Sequence, residues 1–502
     1  MSGRSKRLQE IVDQLNMSDE ERSSYSQMLD SSDDDLVSAA STIVSLTASE
    51  RLKIGLNSDQ LKAYDNIIDY LTCDSNYDGV VISGYAGTGK TFLVKRVVEF
   101  VNIYINKPIA ITAPTNKAVH ILEKDNPYQA KSNMFRIKDN VIYSTIHKLF
   151  GLNEVIDDEG NISYKKASKD ISGKYAIIII DEISMLDDDL LQLVIDTGSK
   201  LILMGDPCQI PPVNKSDCEV FRSDCRYNFL HCQLNQIMRQ GNGNPIIDIS
   251  VKIRENLNSE HPVEKISNVI NGCGVQFIND NKAVRIRELC NMFNSDEYLV
   301  DRNYVKVICW RNQTIKYFND NIRKIMFGDT KERFVKGECV IANSALWQEA
   351  KHDDEMWRKY VNNSEEFVIE NIDIDNLSYS INGNLFTGKF YLLSARSFDG
   401  GRYLLRCVHE DSLRDYYKYC NEFKTIARKN KCAALWIDYY NAVKINHDIT
   451  YNYAISSHKA QGSTYENVIL TESDLDMNKK VVERNRIKYT AYTRASRMLY
   501  VI

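Results

Sequence analysis

The sequence is poor in long apolar runs. No stretch of the 502 residues approaches the roughly 20 apolar residues that a membrane-spanning helix requires. The first 30 residues also lack the apolar core of a secretory signal. We therefore expect a cytoplasmic protein that makes no membrane contact.

Closely paired cysteines are also missing. None of the 12 cysteines belongs to a Cys-x-x-Cys pair, and contexts such as VICWR around Cys309 are apolar. Reduced core cysteines are therefore expected. Cys218, Cys225 and Cys232 lie near His231, but their spacing does not match a compact zinc knuckle, so a zinc site is the less favoured alternative.

An excess of positive charge is absent as well, because the formal net charge is −5. The first 50 residues hold 4 Lys and Arg but 10 Asp and Glu, and the rest of the chain is near neutral. Any nucleic-acid groove must then be a local basic patch. Apolar residues recur at helical spacing within residues 1–50, which predicts an acidic N-terminal helical arm, either packed on the body or binding a partner.

One glycine-rich stretch is typical of phosphate binding. Residues 82–94 read ISGYAGTGKTFLV and contain G-x-x-x-x-G-K-T between a strand pattern and a helix pattern. In that setting backbone N–H groups surround phosphates, the lysine reaches the β and γ oxygens, and the threonine holds Mg²⁺. The predicted ligands are Gly84, Gly87, Thr88, Gly89, Lys90 and Thr91. GTPases, kinases, transporters and motors all use such a loop, so the motif leaves the activity open.

Short apolar runs that end in polar residues predict two sets of buried parallel strands. The first set is PIAITAPT, YAIIIIDE and KLILMGD, and the second is VKVICWR, NVILTE and MLYVI. The fold class is therefore α/β, with two doubly wound parallel-sheet domains. Alternating stretches and turn signals predict a β-rich domain with a helical protrusion inserted in the second domain. LNEVIDDEGNISYKKA predicts a small β-hairpin inserted in the first.

The chain length agrees with about three or four domains. After the arm at 1–50, we place the first α/β domain at residues 51–240, with the hairpin at 152–170. The second α/β domain takes residues 241–333 and 447–502, and the β-rich insertion takes residues 334–446.

A second constellation indicates hydrolysis of the bound nucleotide. Asp181 and Glu182 follow the apolar strand IIII, where the first can hold Mg²⁺ and the second can activate the attacking water. Further candidates come from later motifs: Gln209, Arg239, Gln461, Gly462 and Arg494. Arginines that reach in from another domain would stabilise transition-state charge and make hydrolysis depend on closure. The set predicts a nucleotide clamped between two α/β domains.

From residue 56 to the C-terminus, the motifs resemble those of superfamily 1 helicases of the RecD-like branch, superfamily 1B. The matching stretches are LNSDQ, GYAGTGKT, TAPTNKA, STIHKLFG, DEIS, GDPCQIPPV, MRQ, SSHKAQGST and AYTRAS. The size and layout are similar to those of the phage Dda-type helicases, and a phage-encoded protein would act in the host cytoplasm. The resemblance implies RecA-like domains, an SH3-like insertion in the second, and adenine contact by Gln60. It also implies ATP and Mg²⁺ as cofactors, and 5′ to 3′ movement on DNA.

The same resemblance assigns a DNA track to three of these motifs. Polar side chains at strand ends and helix starts suit backbone phosphates, and a lack of base-edge readers means that any sequence is accepted. The expected contacts are Thr115, Asn116, Lys117, Thr145, His147, Ser457, His458 and Ser463. Each residue could instead be a helix cap or a buried polar side chain.

The hairpin is interpreted as a strand-separating wedge because it follows a DNA-contacting motif. Its acidic residues Asp157, Asp158 and Glu159 would repel phosphate, which suits a wedge better than a grip. The alternative is an inert surface hairpin.

Two other functions remain open: a single-stranded DNA translocase that strips bound proteins but unwinds poorly, and a non-hydrolysing scaffold. We expect a monomeric DNA helicase that acts on single-stranded DNA and on forked or tailed duplexes in replication, recombination or repair. A replication or recombination protein would be the partner of the N-terminal arm.

Overall fold

The computed structural model of the protein describes residue 53 and residues 55–85, 87–124, 140–166, 171–211, 217–236, 244–350, 356–398 and 400–502. The predicted arm at residues 1–50 and the predicted site residue Arg239 lie outside these ranges. Among the described residues, no helix is both long enough and apolar enough to cross a bilayer.

Helices and strands alternate along most of the chain. The helices are α1 (Ser58–Thr72), α2 (Lys90–Phe100), α3 (Asn116–Lys124), α4 (Ile146–Leu149), α5 (Asp188–Ile195), α6 (Pro245–Glu255), α7 (Lys282–Cys290), α8 (Asp296–Val300), α9 (Asn312–Phe327), α10 (Glu410–Asn430), α11 (Ala433–Val443), α12 (Ser457–Ala460), α13 (Glu472–Leu475) and α14 (Val481–Tyr492).

The strands are β1 (Gly79–Gly84), β2 (Ile109–Ala113), β3 (Val141–Thr145), β4 (Leu152–Ile156), β5 (Ile162–Lys166), β6 (Ile177–Ile180), β7 (Lys200–Gly205), β8 (Phe229–Leu234), β9 (Asn268–Ile270), β10 (Cys273–Phe277), β11 (Val305–Cys309), β12 (Cys339–Ala342), β13 (Leu346–Glu349), β14 (Trp357–Val361), β15 (Glu366–Ile381), β16 (Asn384–Ser397), β17 (Arg402–Val408), β18 (Ile449–Tyr451), β19 (Ala454–Ser456), β20 (Tyr465–Leu470) and β21 (Ala495–Val501).

The first sheet is parallel and has the order β3-β2-β6-β7-β1-β8. Its central strands are apolar on both faces because helices cover both. In β1, Val80 and Ile82 join the core under α1, α2 and α3, whereas Val81 joins the core under α4 and α5. This arrangement confirms the predicted doubly wound α/β domain.

The second sheet has the order β19-β11-β20-β21-β10-β9. Its strands are parallel except for β9, which pairs antiparallel with β10 at one edge and was not predicted. Helices α6 and α14 cover one face and α9 covers the other. The second α/β unit is thus confirmed, and it contacts the first through hydrogen bonds such as those of Asp206 with Arg254 and Tyr489.

An antiparallel sheet of five strands, β17-β16-β15-β12-β18, follows the second unit's strand β11 in the chain. Two of these strands, β15 and β16, form a long hairpin on which α10 and α11 pack. The last strand, β18, lies beyond the predicted end of the insertion at residue 446. It completes the sheet by pairing with β12.

Two buried ion pairs fasten this sheet to the second α/β unit. The Lys306 ammonium lies 3.4 Å from the Glu366 carboxylate, and the Arg323 Nε lies 2.5 Å from Glu338. Lys306 and Glu338 are fully buried. Since separating such charges would expose one uncompensated ion, the antiparallel sheet is held firmly on the second unit.

The hairpin of β4 and β5 is present as a two-stranded antiparallel pair. The predicted β-hairpin at this position therefore forms, and its turn lies around Asp157–Gly160.

Candidate active site

The glycine-rich loop joins β1 to α2, as the strand and helix patterns predicted. Gly87 and Gly89 have φ values of 85° and 77°, which side chains with a Cβ rarely adopt. A Cβ on Gly89 would also lie 2.5 Å from the amide nitrogen of Gln60. The α2 N-terminus has no side-chain cap, so its first N–H groups face the loop. This geometry is suited to an anion at the helix N-terminus.

Lys90 lies at the start of α2 and points back into the loop. Its Nζ donates to the backbone oxygens of Gly84, at 2.9 Å, and Tyr85, at 3.1 Å. Burial lowers its pKa, while the charges of Asp206, Glu182 and Asp181 act to raise it. The ammonium group is therefore surrounded by acidic groups and is placed at the mouth of the loop.

Gln60 supports the loop from α1. It forms a capping box with Asn57, and its Nε2 donates to the backbone oxygen of Thr88 at 2.9 Å. The Thr88 hydroxyl in turn donates to the Tyr85 oxygen at 3.0 Å. In this structure Gln60 holds the phosphate loop, and its contact with adenine stays a prediction.

Asp181 and Glu182 follow the fully buried strand β6. The Glu182 N–H donates to the Asp181 carboxylate at 2.9 Å, and Glu182 has a φ of 53°. Burial and the neighbouring Asp181 charge raise the pKa of Glu182 to about 7, against the opposing charges of Arg494 and Lys90. Burial also raises the pKa of Asp181. A strained carboxylate with a pKa near neutrality is typical of a general base.

Thr91 and Asp181 supply the donor types that Mg²⁺ prefers. Thr91 lies in the first turn of α2 beside Lys90, and Asp181 lies at the end of a strand of the same sheet. Hydroxyl and carboxylate oxygens are hard ligands, so this pair fits a magnesium ion that keeps several waters. Within the described ranges, no three or more His, Cys, Asp or Glu side chains form a group that could hold a metal ion.

Residues from the second sheet complete the cleft. The Gln461 amide donates to the Gln209 Oε1 at 3.2 Å, and both side chains are buried. Gly462 follows Gln461 with a φ of 76°. Arg494 donates to the backbone oxygens of Thr490 and Ser463. The structure thus brings together the predicted residues of both α/β units.

One buried cluster in the cleft was missed by sequence reasoning. Asp206, which follows β7, accepts hydrogen bonds from Arg254 and Tyr489 of the second unit. Asp206 carried a signal, since it lies in the GDPCQ motif at a strand end. Arg254 lies on α6 outside every motif and carried none.

The predicted DNA track is partly exposed and partly buried. Thr115 caps α3 by accepting from the Ala118 N–H, and Thr145 caps α4 by accepting from Lys148. Asn116 and Lys117 begin α3, but their side chains lie outside what the structure describes. DNA contacts from these residues stay predictions.

The predicted DNA contacts at β19 and α12 are likewise divided between buried and exposed residues. Ser457 is buried with its hydroxyl donating to the Cys309 oxygen at 3.4 Å, and Ser463 is buried as well. His458 is exposed. His147 in the preceding domain contacts the Tyr164 ring of the hairpin, with the ring centroids 4.8 Å apart. The hairpin therefore borders the predicted track.

The acidic turn of the hairpin has a structural role that the sequence did not indicate. The Asp157 carboxylate accepts from the Asn161 side-chain amide and from the N–H groups of Asn161 and Glu159, and these bonds lower its pKa. The Asp158 carboxylate accepts from the Ala433 N–H at 2.9 Å. Asp157 therefore stabilises the turn and Asp158 its contact with α11, while repulsion of phosphate stays a prediction.

Comparison with known proteins agrees with the motifs. Residues 55–271 match a family model described as an AAA domain, and residues 451–502 match the UvrD-like helicase C-terminal domain. Uncharacterized protein R530 of Acanthamoeba polyphaga mimivirus is 24% identical, covering 88% of this chain and 99% of that protein. The ATP-dependent DNA helicase dda of Enterobacteria phage T4 is 26% identical, covering 78% of this chain and 87% of that protein.

A solved structure of Pif1 helicases at forked double-stranded DNA is similar at 17% identity and a TM-score of 0.48, covering 89% of this chain and 92% of that one. The first family match covers the first α/β unit and the start of the second, and the other match lies on the second unit. The curated relatives named as helicases include dda and the ATP-dependent RecD2 DNA helicase of Deinococcus radiodurans. Over both α/β units, the chain is therefore similar to helicases of superfamily 1B.

Proposed function

We propose that this protein is an ATP-dependent DNA helicase that moves along single-stranded DNA and separates duplex strands. The observation that carries the proposal is the cleft between the units, where Gln461 bonds Gln209 and the Arg494 charge of the second unit acts on Glu182 of the first. A charge on one domain that acts on the base of the other makes hydrolysis respond to domain closure.

Within the cleft each group has a separate task. Lys90 would bind the β and γ phosphates, and Glu182 would accept the proton of the attacking water. Arg494 would stabilise charge that develops on the transferred phosphoryl group. We propose the same task for Arg239 because it belongs to the MRQ motif.

Mg²⁺ would neutralise phosphate charge while held by Thr91 and Asp181. Gln209 and Gln461 form a hydrogen bond between the units, so contact with the γ-phosphate would affect both units. Repeated closing and reopening of the cleft would move DNA past the polar residues Thr115, Thr145 and His458.

The hairpin favours strand separation over the simpler translocase. Its tip is held by Ala433, Trp436 and Tyr440 of α11. A projection fixed at both ends can resist the force of a duplex, which an unsupported hairpin cannot do. We propose that it parts the strands where DNA enters.

Displacement assays with tailed duplexes test the proposal. ATP-dependent displacement of a duplex with a 5′ single-stranded tail, and little displacement with a 3′ tail, is the expected result. Lys90→Ala serves as the inactive control, because it removes the phosphate-binding ammonium group. Strong DNA-stimulated hydrolysis without displacement of either duplex would favour the translocase.

A further inference from the structure

Three buried polar groups meet across the cleft without a part in the chemistry above. The Asp206 carboxylate accepts from the Arg254 guanidinium at 2.7 Å and from the Tyr489 hydroxyl at 2.6 Å. A third bond comes from the Cys208 N–H at 3.0 Å. Asp206 is fully buried, and the Arg254 side chain is 10% exposed. A carboxylate in such a place needs its cation, because an unpaired buried charge is costly.

Arg254 also touches the phosphate loop itself. Its guanidinium carbon lies 4.0 Å from the centroid of the Tyr85 ring, a distance at which cation and ring attract. Tyr85 is the residue whose backbone oxygen accepts from both Lys90 and Thr88. One side chain of the second unit thus contacts the ends of two neighbouring strands of the first, β1 and β7.

The charges around Lys90 show why this contact matters. Burial lowers the pKa of Lys90, and Asp206 is the foremost of the acidic groups that oppose this effect, while Arg254 acts in the other direction. Without Arg254, Asp206 would attract the Lys90 ammonium away from the loop and would repel a nucleotide phosphate. With Arg254 in place, the charge of Asp206 is balanced locally.

We propose that Arg254 is a positioning residue for nucleotide binding, which balances Asp206 and braces Tyr85 so that the phosphate loop is complete only when the second α/β unit is docked. The inference rests on the proposed ATPase function. It adds a link between domain position and phosphate affinity that does not pass through Arg494 or the two glutamines. Tyr489 holds the other oxygen of Asp206 and keeps the carboxylate facing Arg254.

Arg254→Met tests the proposal against Lys252→Met, an exposed position on the same helix. We expect the Kd for a fluorescent, slowly hydrolysed ATP analogue and the KM for ATP to rise about tenfold or more in Arg254→Met. The kcat at saturating ATP should change less. Lys252→Met should match the wild type. An unchanged Kd in folded Arg254→Met would overturn the proposal.

A rescue experiment separates charge balance from simple packing. Arg254→Met combined with Asp206→Asn removes both charges, so analogue affinity should return most of the way to wild type. A merely structural role would leave the double variant as weak as the single one, and that result would overturn the charge argument. Arg254→Lys keeps the charge but not the planar contact with Tyr85, and we expect an intermediate Kd.

Two readouts keep the inference distinct from the proposed function. If the wild-type protein shows no DNA-stimulated hydrolysis, the proposed function is refuted. The affinity for the ATP analogue can still be compared between the wild type and Arg254→Met, so it tests the role of Arg254 separately. Should Arg254→Met fail to fold, Tyr85→Leu removes the braced ring and leaves the ion pair intact. It is expected to weaken analogue binding several-fold, and wild-type affinity in that variant would overturn the proposal.

Discussion

The indole Nε1 of Trp436 donates a hydrogen bond to the backbone oxygen of Asp158 at 3.1 Å. A helix attached to the second α/β unit therefore holds the turn of a hairpin that belongs to the first. The Tyr440 hydroxyl adds a bond to the Gly160 oxygen at 2.8 Å, and a Cβ on Gly160 would lie 2.5 Å from the Trp436 ring. If the two units move relative to each other, either the hairpin moves together with α11 or these contacts break.

Trp436→Ala should uncouple strand separation from ATP hydrolysis. The hairpin would lose its main support, so unwinding of a tailed duplex should fall about tenfold, while DNA-stimulated ATPase stays within about twofold of wild type. Ile437→Ala is the matched control, because Ile437 is the next residue and is 48% exposed. Full unwinding by Trp436→Ala would mean that this contact does not position the hairpin.

Hydrolysis should depend on pH through Glu182. Its pKa is raised to about 7, and only the deprotonated carboxylate can accept a proton, so kcat should fall as the pH drops through about 7. Glu182→Gln should bind ATP yet lower kcat at least about a hundredfold and abolish this dependence. Asp189→Asn, an exposed carboxylate on α5, is the control. A flat profile in the wild type would remove Glu182 from the role of base.

Arg494→Ala should remove most of the stimulation of ATPase by single-stranded DNA while affecting nucleotide affinity less. Arg494 is held by its own unit, so its action on the first unit requires the closure that DNA promotes. Its charge also opposes the rise in the pKa of Glu182, so the midpoint of the pH profile should move upward. Arg497→Ala, on an exposed neighbour, should leave both quantities unchanged. Normal DNA stimulation in Arg494→Ala would contradict the clamped-cleft mechanism.

Arg323→Met should destabilise the joint between the second unit and the antiparallel sheet. Above pH 7, where Glu338 is ionised, it would leave that buried carboxylate without its cation, at a cost of about 3–5 kcal/mol and several degrees in Tm. Adding Glu338→Gln should recover much of this loss. Lys324→Met, at an exposed adjacent position, is the control in thermal unfolding.

The pH dependence of that joint has a defined sign. Burial raises the pKa of Glu338 to about 7, above its usual 4.5, despite Arg323. The folded protein therefore holds a proton that the unfolded chain releases. The contribution of this group to stability is full below about pH 4.5 and is lost as the pH rises to about 7. Glu338→Gln should flatten the dependence of Tm on pH in this window.

Features that depend on consecutive residues were predictable from the sequence. The phosphate loop is a strand, a glycine turn and a helix, so its pattern contains the geometry that binds phosphate. The isoleucines before Asp181 predicted a strand buried on both faces, and the turn residues around Gly160 indicated a hairpin. Local conformation and burial are properties that a short stretch determines by its own chemistry.

Contacts between distant residues were decided by the tertiary structure. Nothing near Asp158 in the sequence indicates Trp436, and the contact of the acidic turn with α11 was not predicted. Asp206 and Tyr489 are 283 positions apart, and Arg254 belongs to no motif. Ser457 was assigned to the DNA track by its motif, although its hydroxyl bonds the Cys309 oxygen in the interior. Which side chains meet depends on how two sheets and an inserted domain dock, and that docking is set by summed packing and paired buried charges that no local pattern records.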